Sequence, residues 1–466
     1  MRTLGLFMFV MTLGSMLSAQ TIVGDWNGTL DASGMKLRLI FHIQEKDGQL
    51  TATMDSPDQG ANGIPVQSVS WEDEKLTITI PKLGLTYTAT LEEDGNTLNG
   101  TFQQGPANLP LIMGREAQEK PTFNRPQEPK KPYPYLEEDV SYPNQQAEGV
   151  TLAGTLTLPQ GKGPFPAVIL ISGSGPQNRN EELLNHKPFL VIADHFTRHG
   201  IAVLRFDDRG VGKSTGKFST ATSADFATDA QAGIDYLKGR PEISKDKIGL
   251  VGHSEGGLIG PIVAADNPDV AFLVMMAGPG VSGEKILLLQ QELMVRAEGG
   301  SEQEIKTTRK TSKKMFKELR KSTDIEKTKK ELIQYAIKEL NKLPEADKAK
   351  LGDLDKLAEQ QVGVISSPWF RYFLSYDPAE TLQKVHCPVL AINGDKDLQV
   401  DAEQNIPAIA VNLKKGGNKK VTTRVLPGLN HLFQHSETGK GSEYGELEET
   451  FAPEALELMT EWIKEQ

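Results

Sequence analysis

The chain has 466 residues, of which 38% are hydrophobic and 24% charged, and its formal net charge is -11 at pH 7. This composition is that of a folded protein of two or three domains, and it excludes a collagen-like, coiled-coil or wholly disordered chain. The acidic balance argues against nucleic-acid binding, because an acidic protein repels phosphate backbones. The single cysteine, Cys387, excludes an internal disulfide and cysteine-based zinc or iron–sulfur sites.

Residues 1–19 have the pattern of a secretory signal peptide. Arg2 precedes a short apolar run from Leu4 to Met11, and small residues end the segment at Ala19. The apolar run is shorter than the roughly 20 residues that a membrane-spanning helix needs. We therefore expect cleavage near Ala19, export to the periplasm or the medium, and no stable membrane anchor.

Residues 20–115 show the alternation of apolar and polar residues that is typical of antiparallel strands. Lys36–Ile43 and Lys75–Ile80 alternate with period two, and the turn residues Asp94–Asn96 interrupt the pattern. The sequence predicts a small all-β domain that shields or positions the next domain, with a separate ligand-binding module as the alternative. Prolines are dense in residues 116–135, which predicts a stiff linker.

Residues 136–466 alternate short strands with helices, which predicts a mostly parallel sheet with helices on both faces. Ala167–Ile171 is apolar throughout, as buried central strands are. Residues 281–370 interrupt this alternation with charged helical sequence and predict an inserted helical cap. One cap helix is predicted to have an apolar face, formed by Leu332, Ile333, Ala336, Ile337 and Leu340.

The segment Gly252–Gly256 (GHSEG) is a G-x-S-x-G motif between a predicted strand and a predicted helix. In that context the serine stands on a sharp turn above the sheet, and the flanking glycines are needed because side chains would not fit. The pattern predicts Ser254 as the nucleophile of a serine hydrolase.

A serine hydroxyl needs a general base beside it, and the base needs an acid that orients it. In this fold the chain order is serine, acid, histidine. Asp397 and His431 each follow a predicted strand downstream of the motif. They are the predicted acid and base, and Asp395 and His435 are the alternatives at the same two places.

The tetrahedral intermediate of acyl transfer needs backbone N–H donors for its oxyanion. Glu255, the residue after the nucleophile, is predicted to supply one of them. The loop Ser172–Pro176 (SGSGP) is predicted to supply the other, with Ser174 as the candidate donor and Gly175 as its alternative.

Two glycine-containing segments suggest nucleotide binding but lack complete motifs. Gly212–Ser214 resembles the end of a phosphate-binding loop, yet Asp207 stands where that loop needs its first glycine. Gly173–Gly175 suggests a dinucleotide fingerprint, yet Asn178 replaces its third glycine. We expect no cofactor and no bound metal.

Residues 135–466 resemble the serine esterases of the α/β-hydrolase superfamily. The matching pieces are the SGSG loop, Asp207–Ser214 (DDRGVGKS), the GHSEGG elbow, GDKD and the GLNH loop. The arrangement also resembles bacterial two-domain esterases with a β-rich N-terminal domain and a helical cap. Many relatives open the oxyanion loop with His-Gly, whereas this chain has Ser172–Gly173.

The resemblance implies an α/β-hydrolase fold with a helical cap and a carboxylic ester hydrolase that uses Ser254, His431 and Asp397. An enclosed site under the cap favours small or short-chain acyl esters as substrates. Serine aminopeptidases share most of these motifs, so a peptidase with the same triad is the alternative function. A binding protein with a degenerate hydrolase domain is the third functional hypothesis.

Overall fold

The computed structural model describes residues 22–32, 35–46, 48–57, 61–104, 107–117, 124–345, 348, 351 and 353–466. The chain divides into two compact units at the boundary between Lys120 and Pro121. The predicted signal peptide, residues 1–19, lies outside the described residues. Within those described ranges no helix is both long and apolar enough to span a membrane.

The N-terminal unit is antiparallel β structure, as the alternating pattern predicts. Its strands are β1 (Gly24–Ala32), β2 (Met35–Lys46), β3 (Gln49–Ser56), β4 (Ala61–Pro65), β5 (Ser68–Glu72), β6 (Lys75–Ile80), β7 (Leu85–Leu91), β8 (Thr97–Gln104) and β9 (Ala107–Gly114). They form one sheet in the order β4-β3-β2-β1-β9-β8-β7-β6-β5. Alternate side chains of these strands fill a core in which Trp26, Phe41 and Tyr87 are fully buried.

The second unit contains a mostly parallel sheet. Its strands are β10 (Leu136–Pro143), β11 (Thr151–Leu158), β12 (Phe165–Ile171), β13 (Ala202–Phe206), β14 (Ile243–His253), β15 (Leu273–Met276), β16 (Val389–Gly394) and β17 (Val421–Leu426). They lie in the order β10-β11-β13-β12-β14-β15-β16-β17. All neighbours from β13 to β17 are parallel, and β11 runs antiparallel to both β10 and β13.

Helices cover both faces of this sheet. The helices that the structure describes in this unit are, in chain order, α1 (Pro188–Arg198), α2 (Ser223–Lys238), α3 (Gly256–Asp266), α4 (Gly283–Ala297), α5 (Glu302–Lys321), α6 (Ile325–Leu340), α7 (Leu354–Ile365), α8 (Pro368–Ser375), α9 (Ala379–Leu382), α10 (Ala402–Lys415), α11 (Gly441–Tyr444) and α12 (Pro453–Lys464). In β12, Ile169 packs with α2 and α3 on one face, while Leu170 packs with α1 and α12 on the other. The fold is therefore α/β-hydrolase, as predicted.

A helical insertion, α4 to α8, interrupts the alternation between β15 and β16. The apolar face predicted for one of its helices lies on α6. Leu332 and Ala336 are buried there, and Ile333, Ile337 and Leu340 pack partly buried against the same cluster. The insertion thus has a hydrophobic core of its own.

The described part of the predicted linker, residues 124–135, lies against the α/β unit. The guanidinium of Arg125 donates to the carbonyl oxygens of Leu447 at 2.6 Å and Gly445 at 2.7 Å. Tyr135 Oη donates to Asp194 of α1 at 2.9 Å. These residues are therefore fixed by hydrogen bonds that their proline content alone does not indicate.

Candidate active site

The predicted nucleophile elbow lies between β14 and α3. Ser254 has a backbone φ of 52°, in the left-handed region that L residues adopt at a cost. A Cβ on Gly252 would lie 2.0 Å from the carbonyl oxygen of Gly256, and a Cβ on Gly256 would lie 2.0 Å from that of Ile171. Only glycine fits at both flanking positions, and the resulting tight turn leaves the serine at its tip.

The structure brings the three predicted triad residues together in hydrogen-bonding order. Ser254 Oγ lies 3.1 Å from Nε2 of His431, and Nδ1 of His431 lies 2.8 Å from Oδ2 of Asp397. Asp397 follows β16 and His431 follows β17, and these strands are parallel neighbours. The two loops therefore leave the same edge of the sheet side by side, next to the elbow.

Backbone donors hold Asp397 in place. Its Oδ1 accepts from the N–H groups of Gln399 at 2.8 Å and Val400 at 2.9 Å. The residue as a whole is 2% exposed. Because Oδ1 is occupied by two donors, Oδ2 is directed at the imidazole of His431.

The structure assigns the two alternative residues to other contacts. Asp395 accepts from the N–H of Gly428 at 2.7 Å and so connects the loops after β16 and β17. His435 lies 2.9 Å from Glu449 and 3.0 Å from Glu454, and its side chain is 54% exposed. Neither of them is hydrogen-bonded to Ser254 in the described part of the chain.

The loop Ser172–Pro176 packs directly against the nucleophile, since a Cβ on Gly173 would lie 3.2 Å from Cβ of Ser254. The N–H of Gly173 donates to Oε1 of Glu181 at 2.6 Å and is not available to an oxyanion. The hydroxyl of the loop's first serine also donates within the protein, to Asp208.

The predicted oxyanion donors lie on the two segments that meet at Ser254. Among the described residues, the N–H groups of Ser174 and Glu255 have no protein acceptor, and neither has that of Gly175. Donors without an internal partner beside a nucleophile are what an oxyanion site requires.

Asp208 supports the oxyanion loop and was not predicted. Its Oδ1 accepts from the hydroxyl of Ser172 at 3.0 Å and its Oδ2 from the N–H of Gln177 at 2.9 Å. Burial raises the pKa of Asp208 to about 8, against the opposing effect of these two hydrogen bonds. Its position in the DDRG motif is the sequence signal that marks it, although its partner Ser172 is not evident from the motif.

The carboxylate of Glu255 is enclosed rather than open to substrate. Its Oε1 accepts from Ser223 Oγ at 2.6 Å and from Nε1 of Trp369 at 2.7 Å. Burial raises the pKa of Glu255, and the two donors oppose that shift. Trp369 belongs to α8, so the helical insertion is hydrogen-bonded to the residue that follows the nucleophile. Nothing in the local sequence predicts this contact.

A small cavity of about 90 Å³ opens beside the nucleophile. Its lining residues are Gly173, Ser174, Gln177, Glu181, Leu183, Pro188, His253, Ser254, Gln399, His431 and Leu432. Across the ranges that the structure describes, no group of three or more His, Cys, Asp or Glu side chains is arranged to hold a metal ion. The lining of this cavity brings the side chains of Ser254 and His431 together with the loop of Gly173 and Ser174.

Comparisons with known proteins give a family and several relatives. Residues 148–421 match the X-Pro dipeptidyl-peptidase (S15) family. Esterase EstD of Thermotoga maritima is 26% identical over 407 residues, which cover 84% of this chain and 86% of that protein. Acyl-coenzyme A thioesterase 1 of Rattus norvegicus is 29% identical over 124 residues, 27% of this chain and 26% of that protein. An esterase structure from Pyrococcus furiosus aligns at 19% identity with a TM-score of 0.41, over 71% of this chain and 93% of that chain.

The family match spans more than half of the chain and includes the elbow with Ser254 and the loop with Asp397. Together with the sheet order and the elbow geometry, it places the α/β unit among serine hydrolases. The chain belongs to the X-Pro dipeptidyl-peptidase (S15) family of α/β-hydrolases.

Proposed function

We propose that the protein hydrolyses carboxylic esters of short acyl chains through an acyl-enzyme formed on Ser254. The observation that carries this proposal is the hydrogen-bonded chain from Ser254 through His431 to Asp397, with distances of 3.1 and 2.8 Å. His431 Nε2 accepts the proton of the serine hydroxyl as Oγ attacks the acyl carbonyl carbon. Asp397 keeps Nδ1 protonated and stabilises the imidazolium that forms.

The negative charge that develops on the carbonyl oxygen is stabilised by the N–H groups of Glu255 and Ser174. His431 then gives its proton to the leaving alcohol as the acyl carbon–oxygen bond breaks. Water, deprotonated by the same histidine, attacks the acyl-enzyme, and the acid leaves as Ser254 regains its proton. Each proton that His431 takes up is returned within the cycle.

The preference for short acyl chains is supported by the size and lining of the cavity. Its volume is about 90 Å³, and Leu183, Pro188 and Leu432 are its apolar side chains. We propose that the helical insertion acts as a cap on this site, because α8 is hydrogen-bonded to Glu255 through Trp369. The relative named an esterase, which aligns with most of the chain, agrees with ester hydrolysis.

A peptidase that uses the same triad is the second candidate, because the matching family is described by an X-Pro dipeptidyl-peptidase activity. Such an enzyme needs a group that holds the peptide's amino terminus. Glu255 is a poor candidate for that role, since its carboxylate already accepts from Ser223 and Trp369. We therefore favour ester hydrolysis over peptide hydrolysis as the function.

We also propose that the enzyme works outside the cytoplasm. The support is the signal-peptide pattern of residues 1–19. Expression of the full chain in a bacterium, with N-terminal sequencing of the protein from each cell fraction, tests this. An exported chain that begins near Gln20 agrees with the proposal, and an uncleaved cytoplasmic chain contradicts it.

The test of function compares p-nitrophenyl esters of increasing acyl length with Xaa-Pro p-nitroanilides, with Ser254→Ala as control. We expect ester turnover that is fastest for short chains and that falls by at least about a thousandfold in the variant. Anilide turnover without ester turnover would favour the peptidase. Ester turnover that persists in Ser254→Ala would contradict the assignment of the nucleophile.

A further inference from the structure

A buried acid–histidine pair lies next to the triad and has no part in the reaction described above. Nδ1 of His253 lies 2.9 Å from Oε1 of Glu181, and both residues are almost completely buried. His253 is the variable residue of the G-x-S-x-G motif, and its ring centroid lies 5.0 Å from that of His431. Glu181 lies in the loop before α1.

Both ring nitrogens of His253 face hydrogen-bond acceptors. Nδ1 faces the carboxylate of Glu181, and on the other side of the ring Nε2 lies 2.9 Å from the main-chain carbonyl oxygen of His431. A neutral imidazole has one N–H, so it satisfies one of these contacts as a donor, whereas an imidazolium satisfies both. The geometry therefore favours an imidazolium paired with a carboxylate.

The same carboxylate oxygen also holds the oxyanion loop. Oε1 of Glu181 accepts from the N–H of Gly173 at 2.6 Å. Glu181 has a backbone φ of 50°, a conformation that a residue of this size adopts only when surrounding contacts require it. The hydrogen bonds thus run from Gly173 through Glu181 and His253 to the main chain of His431.

We propose that Glu181 and His253 form one positioning unit that fixes the oxyanion loop and the His431 loop relative to Ser254. This inference rests on the proposed function. Glu181 orients the loop by holding Gly173, which leaves the next N–H, that of Ser174, directed at the reacting carbonyl. His253 fixes the main chain from which the base projects, and neither residue takes or gives a proton in the cycle.

The expected signature is a loss of kcat with little change in KM. The oxyanion develops only as the bound substrate is attacked, so misplaced donors slow the chemical step while substrate binding is retained. Loss of a single oxyanion donor lowers turnover by about 100- to 1000-fold, and a displaced donor is expected to cost less. If the pair had no positioning role, its substitution would lower the stability of the protein and leave kcat unchanged.

The test uses the full chain and the variants Glu181→Gln, His253→Gln and their double substitution, assayed with p-nitrophenyl butyrate. The matched control is Glu182→Gln, the same change at the neighbouring exposed residue. We expect kcat to fall about 10- to 100-fold in each single variant, with KM within about twofold. The double variant should be no slower than the slower single variant, because both break the same unit, and Glu182→Gln should match the unsubstituted protein.

Circular dichroism establishes that each variant is folded at the assay temperature. If Glu181→Gln does not fold, His253→Gln tests the connection from its other end, since it leaves the bond from Glu181 to Gly173 intact. Nitrogen-15 NMR of histidine-labelled protein, assigned with His253→Gln, gives a second readout. We expect both ring nitrogens of His253 to be protonated.

Unchanged kcat in folded Glu181→Gln and His253→Gln would overturn the inference, and so would a His253 that is neutral at about pH 6. Losses that add in the double variant would show two independent effects and contradict a single unit. Ser254→Ala separates the inference from the proposed function. If Ser254→Ala stays active, the proposed function fails. If Ser254→Ala is inactive while Glu181→Gln and His253→Gln are fully active, only the positioning unit is refuted.

Discussion

Hydrogen bonds orient the side chains of the proposed triad. Asp397 is the clearest case, because two backbone donors occupy Oδ1 and leave Oδ2 for His431. Asp395, two residues earlier, bonds instead to the backbone of Gly428. The two aspartates of the GDKD segment thus make different hydrogen bonds, and their substitution is expected to change activity to different extents.

Asp397→Asn is expected to lower kcat by about 1000- to 10,000-fold while leaving the fold intact. The amide keeps the shape of the carboxylate, but it favours the wrong imidazole tautomer and cannot stabilise the imidazolium. Asp395→Asn is the matched control and should cost less than about tenfold, since its partner is a backbone N–H. Ester assays of both variants check this, and equal losses would contradict the assignment of the acid.

The raised pKa of His253 predicts a pH-dependent contribution to stability. Burial lowers the pKa of this histidine, but Glu181, the carbonyl of His431 and the charge of Asp397 together raise it above 6.5. A histidine whose pKa is raised by folding stabilises the folded protein at pH values below its pKa in the unfolded chain. This stabilisation is lost as the pH rises through its pKa in the folded protein. The Tm difference between the unsubstituted protein and His253→Gln should therefore be largest near pH 6 and shrink above it. A difference that is constant up to about pH 9 would contradict this.

The site residues that the sequence predicts are those whose order along the chain carries the signal. Ser254, Asp397 and His431 each follow a strand, and their chain order is that of the fold. Glu181 and Trp369 carry no such mark, because their partners His253 and Glu255 lie 72 and 114 residues away. Tertiary contacts of this kind have no periodic pattern in a single sequence.

At the scale of elements, the elbow depends on contacts between backbones. The first turn of α3 approaches the end of β12 so closely that Gly256 leaves no room for a Cβ. By contrast, the position that a Cβ on Gly363 in α7 would take has no atom within 4 Å apart from the chain neighbours and nearby backbone of its own helix. The same substitution at these two glycines should therefore have opposite effects.

Gly256→Ala should destabilise the protein by more than about 3 kcal/mol, because the backbone must move to admit the methyl group. Gly363→Ala should stabilise it by about 0.5 to 1 kcal/mol, since alanine loses less conformational entropy in a helix. Urea unfolding of both variants measures the two changes. A Gly256→Ala variant with unchanged stability would show that the elbow is looser than the structure describes.

The hydrogen bond from α8 to Glu255 predicts that the helical insertion influences the proposed active site. Trp369→Phe removes the indole N–H and leaves a buried Glu255 with Ser223 as its remaining donor. We expect a loss of about 1 to 3 kcal/mol in stability and a lower kcat, because the N–H of Glu255 is a proposed donor to the oxyanion.

Trp462→Phe is the matched control for this change, since Nε1 of Trp462 donates to Thr422 on β17 rather than to a residue of the site. Its kcat should match that of the unsubstituted protein when both are assayed with the same ester. Equal kcat in both tryptophan variants would remove the argument that the insertion contacts the catalytic machinery.

At the scale of the whole molecule, the architecture was predictable because its patterns are regular. Period-two runs identify the β unit, and alternating strands and helices identify the α/β unit. The strand order of neither sheet follows from these patterns. Proline content also does not indicate the hydrogen bonds of residues 124–135, in which Arg125 and Tyr135 donate to residues of the α/β unit.

The measurement that tests the account most directly is mass spectrometry of the protein during turnover of p-nitrophenyl butyrate at mildly acidic pH. Mildly acidic pH favours accumulation of the acyl-enzyme, because deacylation depends on general-base catalysis. We predict a butyryl adduct that peptide mapping assigns to Ser254 and that is absent from Ser254→Ala. Turnover with an adduct on another residue, or with the same adduct in the variant, would contradict the central claim.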